Sequence, residues 1–500
     1  MATARRNRRQ RGVILIMLTL VLMVVIPMAG LAFDVGLLYL IRTKLSAALD
    51  AAVLAGARSL SRGMDLASQV ESARSTATQY FRANFPEGLY GTSNLTFEAT
   101  VQETGYRTRT VSGVASVTAP LYFLRLLGQD SARMSVRATA SRRDVNLILV
   151  LDRSGSIDQA GATAIVKNSA ITFVSKFAEG RDRVGLISFS GNYRIDFPPS
   201  MTFKSSSPSI TDKINSLVMS GNTGYAEALW QAYEQLLNIN EPGALNVIVF
   251  FTDGRPTALT ANFPVRTTTD RRYGYPGGPS GCTSTSVECN MPPSPCTNTS
   301  PKFGFLSAPI MTSGSWPPPV TGTTWGVMRA DSTSASMDEW TLSTSNCSGC
   351  AFAAGSGTSY REDARRDIAY IPDTDAHGNS TWGYKPYSSS ELFPSGHPYA
   401  GKIRPDSWRA VRYAAYNVAD NVATRIRNDT TLSPVIFTIG LGGTSSEPID
   451  DELLLRVAND RNSPIFDPTR PAGLYAKAPT PAELDQAFLR VASEILRLAE

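Results

Sequence analysis

Two aspartates and three hydroxyl-bearing residues have types and spacings that suggest chemistry in this 500-residue chain. Asp152, Ser154 and Ser156 alternate within DRSGS, directly after the apolar run VNLILVL, and Asp253 ends the run LNVIVFFT. Thr223 lies between them in the sequence GNTG. Carboxylates and hydroxyls offer only oxygen, which hard divalent cations such as Mg²⁺ and Ca²⁺ prefer. The five residues therefore predict a divalent cation site, if the fold brings them together.

The same residues also have a purely structural interpretation. Asp, Ser and Thr commonly cap helix N-termini, and Asp152 and Thr223 each precede a helical pattern. Either residue alone is more simply explained as a cap. The complete set in this order favours the cation site.

The segments around these residues predict the fold that positions them. After Asp144, near-continuous apolar strands (VNLILVL, RVGLISF, LNVIVFF, VIFTIGL) alternate with helical patterns. Strands that are apolar on both faces and separated by helices predict a doubly wound α/β fold with a mostly parallel sheet. Ligands bind at the carboxyl ends of the strands in such sheets, which is where Asp152 and Asp253 fall.

An insertion interrupts this α/β domain, dividing it into residues 144–255 and 406–500. About 150 residues separate Gly254 from the helix that begins near Asp406 and leads into VIFTIGLGG, far more than a loop needs. The inserted residues 256–405 contain four tryptophans, both histidines and every cysteine, which favours a folded, cross-linked unit. Because the insertion starts just after Asp253, we expect it to overhang the cation site.

The cysteines of the insertion allow two interpretations. One or two disulfides with an odd thiol left over would suit an oxidising compartment. Alternatively, the CxxC spacing together with His377 or His397 could bind zinc. The candidates are Cys282, Cys289, Cys296, Cys347 and Cys350.

The N-terminus predicts a membrane anchor. Five arginines lie within residues 1–11, and the apolar run from Val13 to Phe33 is long enough to span a bilayer. A signal peptide would have a shorter apolar region. The positive-inside rule then keeps the basic head in the cytoplasm and exports the rest. Without these arginines the chain has 43 basic and 43 acidic residues, so a nucleic-acid partner is disfavoured.

Between the anchor and the α/β domain, two further segments are predicted. Leu38, Ile41, Leu45, Leu49 and Ala52 continue the helical spacing, so residues 12–60 read as a transmembrane helix that emerges as an amphipathic stalk. Residues 61–143 combine one helical pattern with alternating strands and predict a small α+β linker domain.

The sequence resembles two known families. The stretch GLAFDVGLLYLIRTKLSAALDAAVLAGARSL, with Asp34, Asp50 and Gly56, is similar to the TadG family of tight-adherence (Flp) pilus assembly proteins. Related minor pilins have a glutamate five residues past a cleavage site. Here Gly12 is followed by Val-Ile-Leu-Ile-Met, so a permanent anchor is expected. The DxSxS, Thr and Asp residues resemble the metal-ion-dependent adhesion site of von Willebrand factor A-type domains.

These resemblances imply a function and a ligand set. Asp152, Ser154 and Ser156 would be inner ligands of Mg²⁺, or of Mn²⁺ or Ca²⁺, with Thr223 and Asp253 coordinating directly or through water. An Asp or Glu carboxylate of a protein partner would complete the coordination. The implied function is protein–protein interaction in pilus assembly, from a single-pass anchor in a bacterial inner membrane with the bulk of the chain in the periplasm.

Two other functions remain as alternatives. A surface adhesin would use the same site to bind a host or matrix ligand. A hydrolase would need a catalytic histidine from the insertion, His377 or His397. The sequence contains no GxSxG, Walker A or HExxH motif, so a non-enzymatic role is expected.

Overall fold

The contacts within the chain divide it into two units, with the boundary between Arg143 and Asp144. The structure, a computed structural model, describes residues 8–60, 66–105, 108–264, 301–308, 325–328, 368–405, 407–442 and 448–499. Each unit has its own hydrophobic core.

The N-terminal unit packs two helices against an antiparallel sheet. Its helices are α1 (Arg8–Ser59) and α2 (Leu66–Asn84), and its strands, in sheet order, are β1 (Ser93–Gly105), β2 (Thr108–Pro120) and β3 (Ser131–Arg143). The sequence patterns indicated α2 and parts of β1 and β3, but not the central strand β2.

The second half of α1 belongs to the core of this unit. Its apolar stripe is fully or almost fully buried against α2 and the sheet, through Ile41, Leu45, Leu49, Ala52, Val53 and Ala57. The segment that the sequence suggested as a stalk is thus a structural element of the α+β unit. Gly56 permits the close packing, because a Cβ there would lie 3.1 Å from the carbonyl oxygen of Ala73.

The first half of α1 exposes its apolar side chains. Among the described residues, one helix is long and apolar enough to cross a membrane, at Ile16–Ser59 with a mean hydropathy of 2.6 over its most apolar window. From Ile16 to Phe33 the large apolar side chains are about half exposed or more. This agrees with the predicted membrane helix in length and composition.

The C-terminal unit is built on a six-stranded sheet with helices on both faces, as the sequence predicted. The sheet order is β12-β11-β7-β4-β5-β6, and only the edge strand β6 runs antiparallel to its neighbour. The strands are β4 (Val145–Asp152), β5 (Arg183–Phe189), β6 (Tyr193–Ser200), β7 (Leu245–Thr252), β11 (Val435–Leu441) and β12 (Tyr475–Ala478). The helices are α3 (Gly155–Gln159), α4 (Thr163–Val174), α5 (Ile210–Asn215), α6 (Tyr225–Ile239), α7 (Trp408–Arg427), α8 (Asp451–Ala458) and α9 (Leu484–Ala499).

The central strand β4 shows why its sequence is uniformly apolar. Ile148 and Val150 belong to the core that includes α6 and α7, whereas Leu147, Leu149 and Leu151 belong to the opposite core with α4 and α9. Because successive side chains of a strand point to opposite faces, both alternating sets are buried.

The described parts of the insertion fold against the α/β domain. The strands β8 (Ala258–Phe263), β9 (Lys302–Ser307) and β10 (Trp325–Met328) form an antiparallel sheet in the order β10-β9-β8. The returning segment 368–405 packs on α7, where the buried Asn417 bonds to the backbone of Thr381 and Lys385. The five cysteines lie outside the described residues.

Candidate metal centre

Two adjacent parallel strands bring the candidate aspartates to one edge of the sheet. β4 and β7 pair in register, with Leu151 opposite Phe251. Asp152 is the last residue of β4, and Asp253 directly follows β7. Both residues are at least 99% buried.

Hydroxyl groups of the DRSGS turn connect this turn to Asp253. The Ser156 hydroxyl donates to Oδ1 of Asp253 at 2.7 Å, and the Ser154 hydroxyl lies 3.3 Å from the same oxygen. The two serine Oγ atoms are 2.9 Å apart. Three of the predicted ligands therefore meet directly.

The fourth, Asp152, is fixed by two hydrogen bonds. Its Oδ1 accepts from the backbone N–H of Ser154 at 2.7 Å, and its Oδ2 accepts from the Thr252 hydroxyl at 2.6 Å. The buried Tyr225 hydroxyl in turn bonds to Thr252 Oγ1 at 3.2 Å and to the Gly254 carbonyl. A chain of hydroxyls thus orients the carboxylate.

Thr223 comes from a loop that is tied to the DRSGS turn. Gly221, with φ of +89°, accepts a hydrogen bond from the Gly155 N–H at 3.1 Å. The left-handed backbone at this position favours glycine. A Cβ placed on Gly254 would lie 3.9 Å from Oγ1 of Thr223 and 4.0 Å from Oγ of Ser156. Both hydroxyls therefore border the same small space.

The insertion holds this loop from the other side. The N–H groups of Thr257 and Ala258 donate to the Thr223 carbonyl at 2.7 and 3.1 Å, and the Thr223 N–H donates to Oγ1 of Thr257 at 2.9 Å. The start of the insertion is thereby attached to the site.

The electrostatics of this cluster suit a cation. Within the described parts of the chain, neither Asp152 nor Asp253 forms an ion pair, and Oδ2 of Asp253 is buried without a hydrogen-bond partner. Burial and the charge of Asp253 raise the pKa of Asp152, and burial raises the pKa of Asp253. Two buried, unneutralised carboxylates are unfavourable unless protons or a cation offset them.

The donor set consists of oxygen alone. The residues present are two carboxylates and three hydroxyls, and the described residues contain no cluster of three or more His, Cys, Asp or Glu side chains suited to a metal. Oxygen ligands with few charges fit Mg²⁺ better than a softer transition metal. The orphaned Oδ2 of Asp253 and this chemistry both fit a hard divalent cation.

Comparison with protein families agrees with this geometry. Residues 146–273 match the sequence model of the von Willebrand factor type A domain. The chain carries a von Willebrand factor type A domain. The A-type domain explains the sheet, and the match contains all five residues of the candidate centre.

A second family match covers the N-terminus. Residues 12–59 match the TadE/G-like family of Flp pilus assembly. The chain therefore joins a TadE/G-like segment to an A-type domain, as the resemblance in the sequence indicated. None of the curated proteins compared with the chain matches it.

Solved structures similar to the chain include pilus proteins with A-type domains. The PilB minor pilin from Streptococcus sanguinis shares 13% identity over 82% of this chain and 80% of its own, with a TM-score of 0.36. The vWF domain of the type V pili tip protein Mfa5 from Porphyromonas gingivalis shares 17% identity over 72% and 98%, with a TM-score of 0.35. These scores are low, so the family assignment rests on the sequence models.

The sequence did not identify the residues that orient the A-type domain's centre. Thr252, Tyr225 and Thr257 are all buried and bond to predicted ligands or to each other. One signal was available, because Thr252 is a polar residue at the end of an otherwise apolar strand beside Asp253. No comparable pattern in the sequence indicates the contacts that Tyr225 and Thr257 make.

The histidines of the insertion have partners other than the candidate serines. His377 Nε2 lies 2.9 Å from Oε2 of Glu227, and its ring stacks on Trp230 at 5.0 Å. The His397 ring stacks on Phe393 at 4.1 Å. Within the described residues, the hydroxyls of Ser154 and Ser156 bond to each other and to Asp253, and not to a histidine.

Proposed function

We propose that the chain is a membrane-anchored protein that binds a protein partner through a divalent cation during assembly of a tight-adherence pilus. The TadE/G-like segment and the A-type domain support the association with pili. We further propose that this binding depends on a metal ion, that the partner is a protein and that the chain crosses the membrane once.

One observation carries the metal dependence. Asp253 is buried, and one of its carboxylate oxygens accepts a hydrogen bond from the Ser156 hydroxyl. The other oxygen has no hydrogen-bond partner among the described residues. Asp152, Ser154, Ser156, Thr223 and Asp253 would hold Mg²⁺, with Mn²⁺ or Ca²⁺ as substitutes that the same oxygens accept. When bound, the cation would neutralise the two carboxylates and provide a Lewis-acidic contact for an incoming anion.

The partner would supply that anion. Two aspartates are the acidic groups of the site, so a bound divalent cation is at most neutralised and can accept a further carboxylate. An Asp or Glu side chain of another pilus assembly component has the required charge and oxygen. The hydroxyls of Ser154 and Ser156 bond to Asp253, which supports a binding role for these serines over a nucleophilic one.

The proposed location follows from the charge and hydropathy of the N-terminus. Arg5, Arg6, Arg8, Arg9 and Arg11 precede the apolar part of α1. The positive-inside rule favours a cytoplasmic N-terminus in a bacterial inner membrane, with the A-type domain in the periplasm. A chain found on the cell surface would favour the adhesin alternative.

The test combines binding with capture of partners. Calorimetric titration of Mg²⁺ should show binding to the unsubstituted chain and none to Asp152→Ala, with circular dichroism unchanged. Pull-down from solubilised membranes should then recover pilus assembly components in Mg²⁺ and lose them in chelator. Unchanged Mg²⁺ affinity in Asp152→Ala would refute the metal centre.

A further inference from the structure

The loop between β2 and β3 of the N-terminal unit exposes an unusual number of large apolar side chains. Leu126 and Leu127 are 84% and 79% exposed, and Tyr122 and Phe123 are 56% and 39% exposed. Such clusters on a protein surface mark sites of interaction with a membrane or a partner. We call residues 121–127 the apolar loop.

The apolar loop is held in place by a single buried carboxylate of α1. Oδ1 of Asp34 accepts from the N–H of Tyr122 at 3.0 Å, and Oδ2 accepts from Phe123 and Leu124 at 2.9 and 2.7 Å. Asp34 is fully buried beneath the loop. Three charge-assisted hydrogen bonds fix the loop to one position along α1.

Aromatic packing places the apolar loop at the same position along α1. The Phe33 ring contacts the rings of Tyr122 and Phe123 edge to face, at 6.2 and 5.9 Å. The Phe123 ring also lies against Gly30, where a Cβ would be only 2.3 Å from it. Any larger residue at position 30 would displace the loop.

This position is where the uncharged apolar stretch of α1 ends. Exposed large apolar side chains follow one another from Ile16 to Phe33 with no charged residue among them, and after Asp34 they are fewer, among them Val35, Tyr39 and Leu40. The loop contacts α1 at Gly30, Phe33 and Asp34. With a rise of about 1.5 Å per residue, these contacts lie within about one helical turn of the end of the apolar stretch. A membrane crossed by α1 would therefore have its boundary at the apolar loop.

We infer that the apolar loop inserts into the interface of the lipid leaflet from which α1 emerges, giving the N-terminal unit a second contact with the membrane. This inference rests on the membrane anchor of the proposed function. The composition of the loop suits the depth, because aromatic rings favour the interface and leucines the acyl region. Arg125, about three-quarters exposed beside Asp130, would lie among the lipid phosphates.

A tryptophan reporter can test the depth of the loop. The full-length chain is reconstituted alone into vesicles of phosphatidylethanolamine and phosphatidylglycerol, with or without brominated acyl chains that quench nearby indoles. Leu126→Trp places the reporter in the loop. Gln102→Trp is the matched control, because Gln102 is exposed and pairs with Thr110, ten residues before the end of β2 and about 33 Å along the strand.

The two reporters should behave differently. The fluorescence added by Leu126→Trp should be lower in brominated than in unbrominated vesicles, because an indole at the interface lies close to the acyl chains. The fluorescence added by Gln102→Trp should not change. The six native tryptophans all lie in the C-terminal unit and give the same background in both variants.

Two results separate this inference from the proposed anchor. If Leu126→Trp is no more quenched than Gln102→Trp while the chain resists alkaline carbonate extraction, the loop does not enter lipid and the anchor stands. A loop that docks on another protein would give this result, because no other protein is present. If carbonate releases the unsubstituted chain, the anchor itself is refuted, and the inference with it.

Discussion

The Ser156 hydroxyl donates a hydrogen bond to Oδ1 of Asp253 at 2.7 Å, although the two residues are 97 positions apart. This bond connects the turn after one central strand with the end of its neighbour. It also leaves the second oxygen of Asp253 buried and without a partner among the described residues. The stability of this arrangement should therefore depend on what neutralises the carboxylate.

Asp253→Asn should separate stability from metal binding. Without divalent cations, the substitution removes one of two buried negative charges and should keep or raise the melting temperature. With Mg²⁺, the unsubstituted chain should gain about 2.7 kcal/mol at a hundredfold excess over Kd, and the variant should gain nothing. Melting curves with and without Mg²⁺ measure both effects.

Asp158→Asn is the matched control for this experiment. Asp158 is an exposed carboxylate two residues after Ser156. The Asp158→Asn variant should keep the Mg²⁺-dependent rise in melting temperature. Equal loss of the rise in both variants would mean that general negative charge, and not the Asp253 carboxylate, attracts the cation.

Two threonine-to-valine substitutions should differ in whether they lower the stability of the fold or its affinity for Mg²⁺. Thr252→Val removes the donor to Oδ2 of Asp152 and a partner of Tyr225, so the free energy of unfolding should fall by about 1–3 kcal/mol. Thr223→Val removes a hydroxyl that forms no hydrogen bond with the described residues, so stability should barely change while Mg²⁺ affinity falls. Urea denaturation and calorimetric titration distinguish the two roles.

The ion pair between His377 and Glu227 should make stability depend on pH. Burial lowers the pKa of His377, but its hydrogen bond to Glu227 and the charges of Glu227, Asp375 and Glu234 raise the pKa overall above its ordinary value. A folded-state pKa above the unfolded value of about 6.5 stabilises the fold below that pH. This contribution is lost as the pH rises through the raised pKa.

Urea denaturation from about pH 6 to about pH 9 measures this contribution. The free energy of unfolding of the unsubstituted chain should decline over this range, and His377→Gln should remove that part of the decline. His397→Gln is the control, because it leaves the Glu227 pair intact. A decline that is identical in His377→Gln would contradict the assignment.

Asp34→Ala should lower the melting temperature of the N-terminal unit, because three backbone N–H groups lose a charged acceptor. Asp50→Ala, an exposed position on the same helix, should change stability by less than about 0.5 kcal/mol. Thermal denaturation of the full-length chain in detergent compares them. Similar effects in the two variants would show that the loop does not depend on Asp34.

The sequence predicted the elements of the A-type domain well because their signal is local. Apolar runs such as Val145–Leu151 are buried on both faces, and the two candidate aspartates, Asp152 and Asp253, stand at the ends of strands. The parallel pairing of β4 and β7 then brings Asp152 and Asp253 together, as expected from their positions.

Features that depend on distant contacts were not predictable. Asp34 belongs to a recognisable motif, but its partners lie 88 to 90 positions later in a loop with no matching signal. The burial of the second half of α1 likewise depends on α2 and the sheet, whereas its amphipathic pattern alone also suits a free stalk. Neither the acceptor role of Asp34 nor this packing can be deduced from spacing.

The paired hydrogen bonds from Thr257 and Ala258 to the Thr223 carbonyl have a mechanical consequence. Any pull transmitted through the first strand of the insertion would act on the backbone that carries Thr223, a proposed ligand. Displacing that strand by little more than the length of a hydrogen bond would release Thr223. The position of Thr223 in the proposed cation site and the position of the insertion's first strand therefore depend on the same short stretch of backbone.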